Sequence, residues 1–249
     1  MNMNGFFEDM STLSTEVGYC SINKMGRANE DRYRLLGGGF IVPDQRQTAF
    51  YSAKRGEMYA VMDGVGGASH GMAAAQYIAD QLPVFFTQVQ NIPIGIDTLV
   101  TLLTHINQEI FTWGMMEGTQ RPCGASTATI LWLSPSQQAY ICHAGDSTAF
   151  LLRHQQLRKI SHDHADADGL YCYVGQGEGF SPQILNFSLE DGDTWCLVTD
   201  GITKGLNSYQ IQQILQKYAG RADLAAKHLV EAAKRKGVQD DITALVIEI

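Results

Sequence analysis

Three aspartates stand where apolar runs meet polar turns. Asp63 closes Tyr59-Ala60-Val61-Met62, Asp200 closes Cys196-Leu197-Val198-Thr199, and Asp240 lies just before the terminal run Ile242–Ile249. Carboxylates at strand ends can converge on one rim of a sheet structure. Two bare carboxylates ~4 Å apart repel by about 4 kcal/mol at an effective dielectric of about 20, so a protein that gathers them must neutralise them with protons or cations. Hard oxygen ligands of this kind favour Mg2+ or Mn2+ over zinc, which prefers His and Cys. Two such ions ~3.5–4 Å apart can activate a bridging water and clamp a phosphoryl group for in-line attack.

The elements that must position these residues follow from hydrophobic periodicity. Val17–Ile22 and Met58–Met62 read as strands, the second continuously apolar as in a strand covered on both faces. A helix is expected from Gly71 to Thr87, with Ala74, Ile78 and Leu82 on one face and Pro83 bending or ending it. A second helix, 97–116, carries the apolar stripe Leu99, Leu102, Leu103, Ile106 and Ile110. Ser126–Leu133, Ala139–His143, Ala149–Arg153 and Gln156–Ile160 read as successive strands of a meander, with turns at Ser134-Pro135-Ser136 and Gly145-Asp146-Ser147. Strands Gln183–Leu189 and Thr194–Thr199, helices Ser208–Tyr218 and Ala222–Lys236, and the strand Ile242–Ile249 complete the pattern. Two paired sets of helices around two sets of strands predict an α+β fold, with two packed sheets covered by helices on their outer faces.

The chain has 249 residues, 45% of them apolar and 18% charged, which suits a globular protein with a sizeable core. We expect one domain over 13–249 behind a short flexible leader at 1–12. A net charge of −8 argues against broad nucleic-acid binding. No run approaches the ~20 apolar residues that span a bilayer, and the N-terminus lacks the features of a secretory signal. Cys20, Cys142, Cys172 and Cys196 lie in or beside apolar runs, whereas Cys123 is expected on a loop surface. Their odd number, without Cys-x-x-Cys spacing, fits a reduced cytoplasmic protein. No exposed heptad argues for an obligate oligomer, and a monomer is expected.

Six motifs in order resemble one family. Arg27-Ala28-Asn29-Glu30-Asp31, Asp63-Gly64-Val65-Gly66-Gly67, Gly124-Ala125-Ser126-Thr127-Ala128, Ala144-Gly145-Asp146-Ser147, Leu197-Val198-Thr199-Asp200-Gly201 and Asp240-Asp241-Ile242-Thr243 are similar to the signatures of the bacterial-type metal-dependent protein phosphatases of type 2C. The resemblance implies a four-layer α-β-β-α sandwich of two mostly antiparallel sheets flanked by helix pairs. It implies two Mn2+ or Mg2+ ions, held by Asp63, the Gly64 carbonyl, Asp200 and Asp240, with Glu30 contributing directly or through water. Asp31 would hold a metal-bound water, and Asp146 with Asp200 would hold a third, weaker ion. Arg27 would grip the phosphate with its planar fork. The implied reaction is hydrolysis of phosphoserine or phosphothreonine in a protein by direct attack of metal-bound water.

The chain also departs from that pattern. Val65 stands where some relatives place a His, so that position offers no general acid, and His70 nearby is read as a helix-start residue. Asp241 replaces the usual Asn, either raising metal affinity or as a bland substitution. Thr148 stands where Arg often follows Gly-Asp-Ser, and Lys204 where an acid often follows Thr-Asp-Gly. The segment 161–182, where relatives carry a longer flap, is read as a short glycine-rich loop. Its His162, Asp163, His164, Asp166 and Asp168 are read as solvated, and a short flap would leave the site open to a folded protein surface. Two other readings are a catalytically silent phosphoprotein- or partner-binding relative and a phosphatase of a regulatory phosphoprotein in a partner-switching pathway. Asp240-Asp241 resembles the partner-switching branch, and the Arg27–Asp31 motif the ordinary one, which we favour.

Overall fold

A computed structural model of the chain describes residues 15–24, 26–37, 55–65, 70–88, 95–116 and 123–249. The expected leader, and Gly66 and Gly67 of the second motif, lie outside the described residues. In chain order the elements are β1 (Glu16–Ile22), β2 (Asp31–Leu36), β3 (Glu57–Asp63), α1 (Gly71–Gln88) and α2 (Ile96–Met116). Then come β4 (Ala128–Leu133), β5 (Gln138–Ala144), β6 (Thr148–Arg153), β7 (Gln156–Lys159), β8 (Ala165–Asp166), β9 (Gly169–Leu170), β10 (Gln183–Ser188) and β11 (Thr194–Val198). Helices α3 (Asp200–Gly205), α4 (Ser208–Lys217) and α5 (Ala222–Arg235) precede β12 (Ile242–Glu248).

Two antiparallel sheets form, in the orders β1-β12-β11-β6-β7 and β10-β5-β4-β3-β2, beside the small β8-β9 hairpin. Their facing sides share one apolar layer, in which Tyr59, Leu131 and Ile141 meet Leu151, Trp195, Leu197 and Leu245. A second layer packs α1 and α2 on the outer face of β2–β5, and a third packs α3, α4 and α5 on β6, β11 and β12. Burial on both faces explains why β3 and β4 read as continuous apolar runs, while edge strand β10 alternates. The expected four-layer α-β-β-α sandwich is the observed one.

Two expectations need correction and one is narrowed. Of the two effects expected of Pro83, bending or ending the helix, the second does not occur, since α1 continues to Gln88. Proline leaves the carbonyl four residues earlier without its helical donor, and Arg34 Nε donates to that oxygen, Ala79 O, at 2.5 Å. The four strands from Ala128 to Lys159 are not one meander. β4 and β5 pair in one sheet, β6 and β7 in the other, and the chain changes sheets at 145–147. Gly145 permits the crossing, because its φ is +109° and a Cβ there would lie 2.5 Å from Thr127 Cγ2. Cys123 is buried, not surface-exposed, with its carbonyl accepting the His70 N–H at 2.9 Å.

Candidate metal and phosphate site

Strand direction alone gathers the acidic residues. Asp31 opens β2 and pairs in register with Asp63, which closes β3. Antiparallel pairing then puts the start of β4 and the end of β5 at the same rim. The crossing at 145–147 starts β6 there, Val198 at the end of β11 pairs with Thr148 and Ala244, and Ile22 at the end of β1 pairs with Ile242. So Asp146 before β6, Asp200 after β11, Asp240 before β12 and Arg27 between β1 and β2 all reach one rim. A cavity of about 370 Å³ opens there, lined among others by Arg27, Glu30, Asp63, Gly64, Asp146, Asp200 and Asp240.

Each carboxylate is held by its own scaffold. Asp63 N donates to Thr127 Oγ1 at 2.9 Å, and Asp63 O accepts from Thr127 N at 2.8 Å and Ser126 Oγ at 3.0 Å. Burial, reinforced by the charges of Asp31, Asp200, Asp240 and Asp146, holds the Asp63 carboxyl well above the ordinary range. Asp31 is 3% exposed, and its Oδ2 accepts from Thr199 Oγ1 at 2.9 Å and Thr243 Oγ1 at 2.6 Å. Burial pushes Asp31 up to about 7 against the pull of those two hydroxyls, with Asp241 and Asp200 adding to the rise. It sits behind the cavity wall. Thr199 precedes α3 without capping it, because its hydroxyl donates to Asp31 and accepts from Thr243 N at 3.0 Å.

Asp200 begins α3 and meets the ammonium of Lys204, Oδ2 to Nζ, at 2.5 Å; the same Nζ reaches Asp240 Oδ2 at 2.6 Å. Burial raises Asp200 to about 6, with Lys204 opposing and Asp146 and Asp240 assisting. Burial also raises Asp146. Asp241 Oδ1 accepts from Lys24 N and its Oδ2 from Glu30 N, both at 2.6 Å.

Among the described residues, Asp31 Oδ1 and Asp200 Oδ1 are buried without a hydrogen-bond partner. Buried carboxylate oxygens left unpaired call for a cation or a proton, so the donor set fits hard divalent cations. Among the described residues, however, no three His, Cys, Asp or Glu side chains are drawn together closely enough to hold an ion. The two observations are compatible, because Lys204 already occupies the oxygens of Asp200 and Asp240 that face each other. Sequence reasoning assigned neither that ion pair nor the two contacts of Asp241.

The 161–182 segment is more firmly built than a solvated loop. Asp166 and Asp168 are exposed as expected, but His164 is 8% exposed and its ring lies 4.9 Å from that of His143. Cys172 and Val174 enter the core beneath α1 and α2. Buried Asn107 on α2 donates to Gly177 O at 2.8 Å and accepts from Gly175 N at 2.9 Å and Gly177 N at 3.2 Å. The β8-β9 hairpin thereby stands at the cavity, where Gly169 and Leu170 form part of the wall.

A family model described as Stage II sporulation protein E (SpoIIE) matches residues 55–249. Protein phosphatase PhpP of Streptococcus pneumoniae is 24% identical over 214 residues, 77% of this chain and 85% of that protein. Serine/threonine protein phosphatase PstP of Mycobacterium tuberculosis is 23% identical over 241 residues, 88% of this chain and 45% of PstP. The crystal structure of PstP/Ppp superposes with a TM-score of 0.76 at 21% identity, over 95% of this chain and 99% of that one. The PstP catalytic domain in complex with 2 manganese ions gives 0.75 at 22% identity, over 94% and 97%. The shared sandwich is thus that of the type 2C phosphatases, and with well over half its length matched the chain belongs to the Stage II sporulation protein E (SpoIIE) family.

Proposed function

We propose that this chain is a metal-dependent serine/threonine phosphoprotein phosphatase. The observation that carries the reading is a single cavity in which Glu30, Asp63, Asp146, Asp200 and Asp240 face Arg27. Asp63, the Gly64 carbonyl, Asp200 and Asp240 would hold two divalent cations, with Glu30 and Asp31 supporting and Asp146 with Asp200 holding a weaker third. When bound, such ions supply charge neutralisation for phosphoryl oxygens and a polarised water as nucleophile. The chain's own share is positioning. Arg27, exposed at the rim, presents a planar fork to two phosphate oxygens. Val65 lines the cavity and brings no proton to the leaving oxygen. The names of PhpP and PstP and the two manganese ions of the PstP catalytic domain support the same substrate class and cofactor.

Hydrolysis of para-nitrophenyl phosphate should require added Mn2+ or Mg2+. Asp200→Asn should lower kcat/KM by at least about 100-fold, equivalent to about 2.7 kcal/mol of transition-state stabilisation. Undiminished hydrolysis in Asp200→Asn, or in excess EDTA, would overturn the reading. A folded protein inactive across metals and pH would support the silent, partner-binding alternative instead. The family match takes in Asp240-Asp241 and leaves Arg27–Asp31 outside it, which favours a regulatory phosphoprotein as a second reading of the substrate. Steady-state rates on such a phosphoprotein and on short phosphopeptides separate the two.

A further inference from the structure

From the contacts of Asp241 we infer that this residue positions the phosphate-gripping Arg27 and is not itself a metal ligand. The inference rests on the proposed role of Arg27. Asp241 lies 217 residues from Lys24 and 211 from Glu30, yet its two oxygens take the backbone N–H of each at 2.6 Å. Those N–H groups bracket Arg27. The grip passes inward, since Arg27 N donates to Lys24 O at 3.3 Å and Arg27 O accepts from Asn23 Nδ2 at 2.7 Å. Asp241 is in turn fixed to the wall that bears Asp200. A Cβ on Gly201 would sit 2.0 Å from Asp241 O, so only glycine lets the two backbones approach this closely. Asp241 N also donates to Asp240 Oδ1 at 3.0 Å.

The chemistry requires an aspartate. A carboxylate offers two acceptors, whereas an asparagine would turn its NH2 against one of the two N–H donors. Both bonds are charge-assisted and 7% of the residue is exposed, so water does not replace them cheaply. Both Asp241 oxygens are committed to backbone amides, which a cation cannot displace, whereas Asp240 Oδ2 meets the half-exposed ammonium of Lys204, which can swing away.

The test uses the full chain loaded with Mn2+. In Asp241→Asn, amide hydrogen exchange at Lys24 and Glu30 should accelerate by roughly tenfold or more. KM for para-nitrophenyl phosphate should rise roughly fivefold, with kcat within about twofold and the calorimetric Mn2+ affinity unchanged. In an Arg27→Ala background the same substitution should add nothing to KM, as for two residues acting through one contact. Asp241→Ser repeats the measurement if the asparagine variant does not fold. Weaker Mn2+ binding in step with the KM change, an effect fully additive with Arg27→Ala, or unchanged exchange at both amides would overturn the inference. If wild type hydrolyses nothing, the phosphatase reading fails by itself, and exchange still decides whether Asp241 clamps this segment.

Discussion

Lys204 donates to Asp200 and Asp240 at once, so it and a divalent cation compete for the same oxygens. Burial opposes the charge on Lys204, but hydrogen bonds to Asp200 and Asp240 outweigh it and hold the ammonium charged well above its ordinary range. The side chain is 53% exposed, so it can swing into solvent when displaced. Lys204→Gln should therefore tighten Mn2+ binding roughly three- to tenfold by titration calorimetry, the range expected for losing one or two partly exposed ion pairs. Lys227→Gln on α5 controls for net charge. Weaker binding in Lys204→Gln would show that the ammonium orients the carboxylates and does not compete for them. Asp63, Asp200 and Asp240 were legible in the sequence because each sits in a short motif at a strand boundary. The Asp240 partner of Lys204 and the contacts of Asp241 were not, because a contact across 36 or 217 residues leaves no local pattern. The i,i+4 pair of Asp200 with Lys204 lies on α3, a helix the sequence did not announce.

Elements whose apolar period matches their burial were read to within a few residues; the short α3 and the β8-β9 hairpin were missed, and so was β2. The β2 sequence, Asp31-Arg32-Tyr33-Arg34-Leu35-Leu36, looks polar because both arginines are spent on α1: Arg32 Nε meets Gln76 Oε1 and Arg34 reaches Ala79 O and Asp80, each at 2.5 Å. The sheet change at 145–147 was likewise invisible, since a turn within a sheet and a crossing between sheets use the same Gly-Asp-Ser chemistry. The strongest test at this scale concerns α2. Asn107→Ala leaves buried backbone groups of Gly175 and Gly177 without partners, at about 1–3 kcal/mol for each unsatisfied group. Three groups lose their partner, so urea unfolding should show a loss of at least about 3 kcal/mol, and a loss below about 0.5 kcal/mol would mean that these turns re-pair elsewhere.

Across the whole molecule, buried titratable groups set how stability follows pH. His143 is fully buried, with Nδ1 2.9 Å from Thr129 Oγ1 and Nε2 3.0 Å from His162 O. Burial, helped by neighbouring His164, lowers its pKa from 6.5 to about 4. The unfolded chain therefore takes the proton first. The contribution of His143 is whole above about 6.5 and is drawn down as pH falls towards 4, by up to about 1.4 kcal/mol per unit. The raised carboxyls Asp31 and Asp200 work in the other sense, losing their contribution as pH rises through about 7 and about 6. Comparing wild type with His143→Gln cancels those carboxyls: the difference in unfolding free energy should slope between pH 6.5 and 4 and be flat above it. A flat difference throughout would place the proton elsewhere. Among the described residues the chain changes sheets at the acidic rim around Arg27, at 145–147 and through 160–182, and at the far rim through 189–193. The hairpins at Ser134–Gln137 and His154–Gln155 are therefore far-rim turns that stay within one sheet. Those two tips are where new termini or a fused reporter can be grafted while the chemistry, a sandwich's length away, goes on undisturbed.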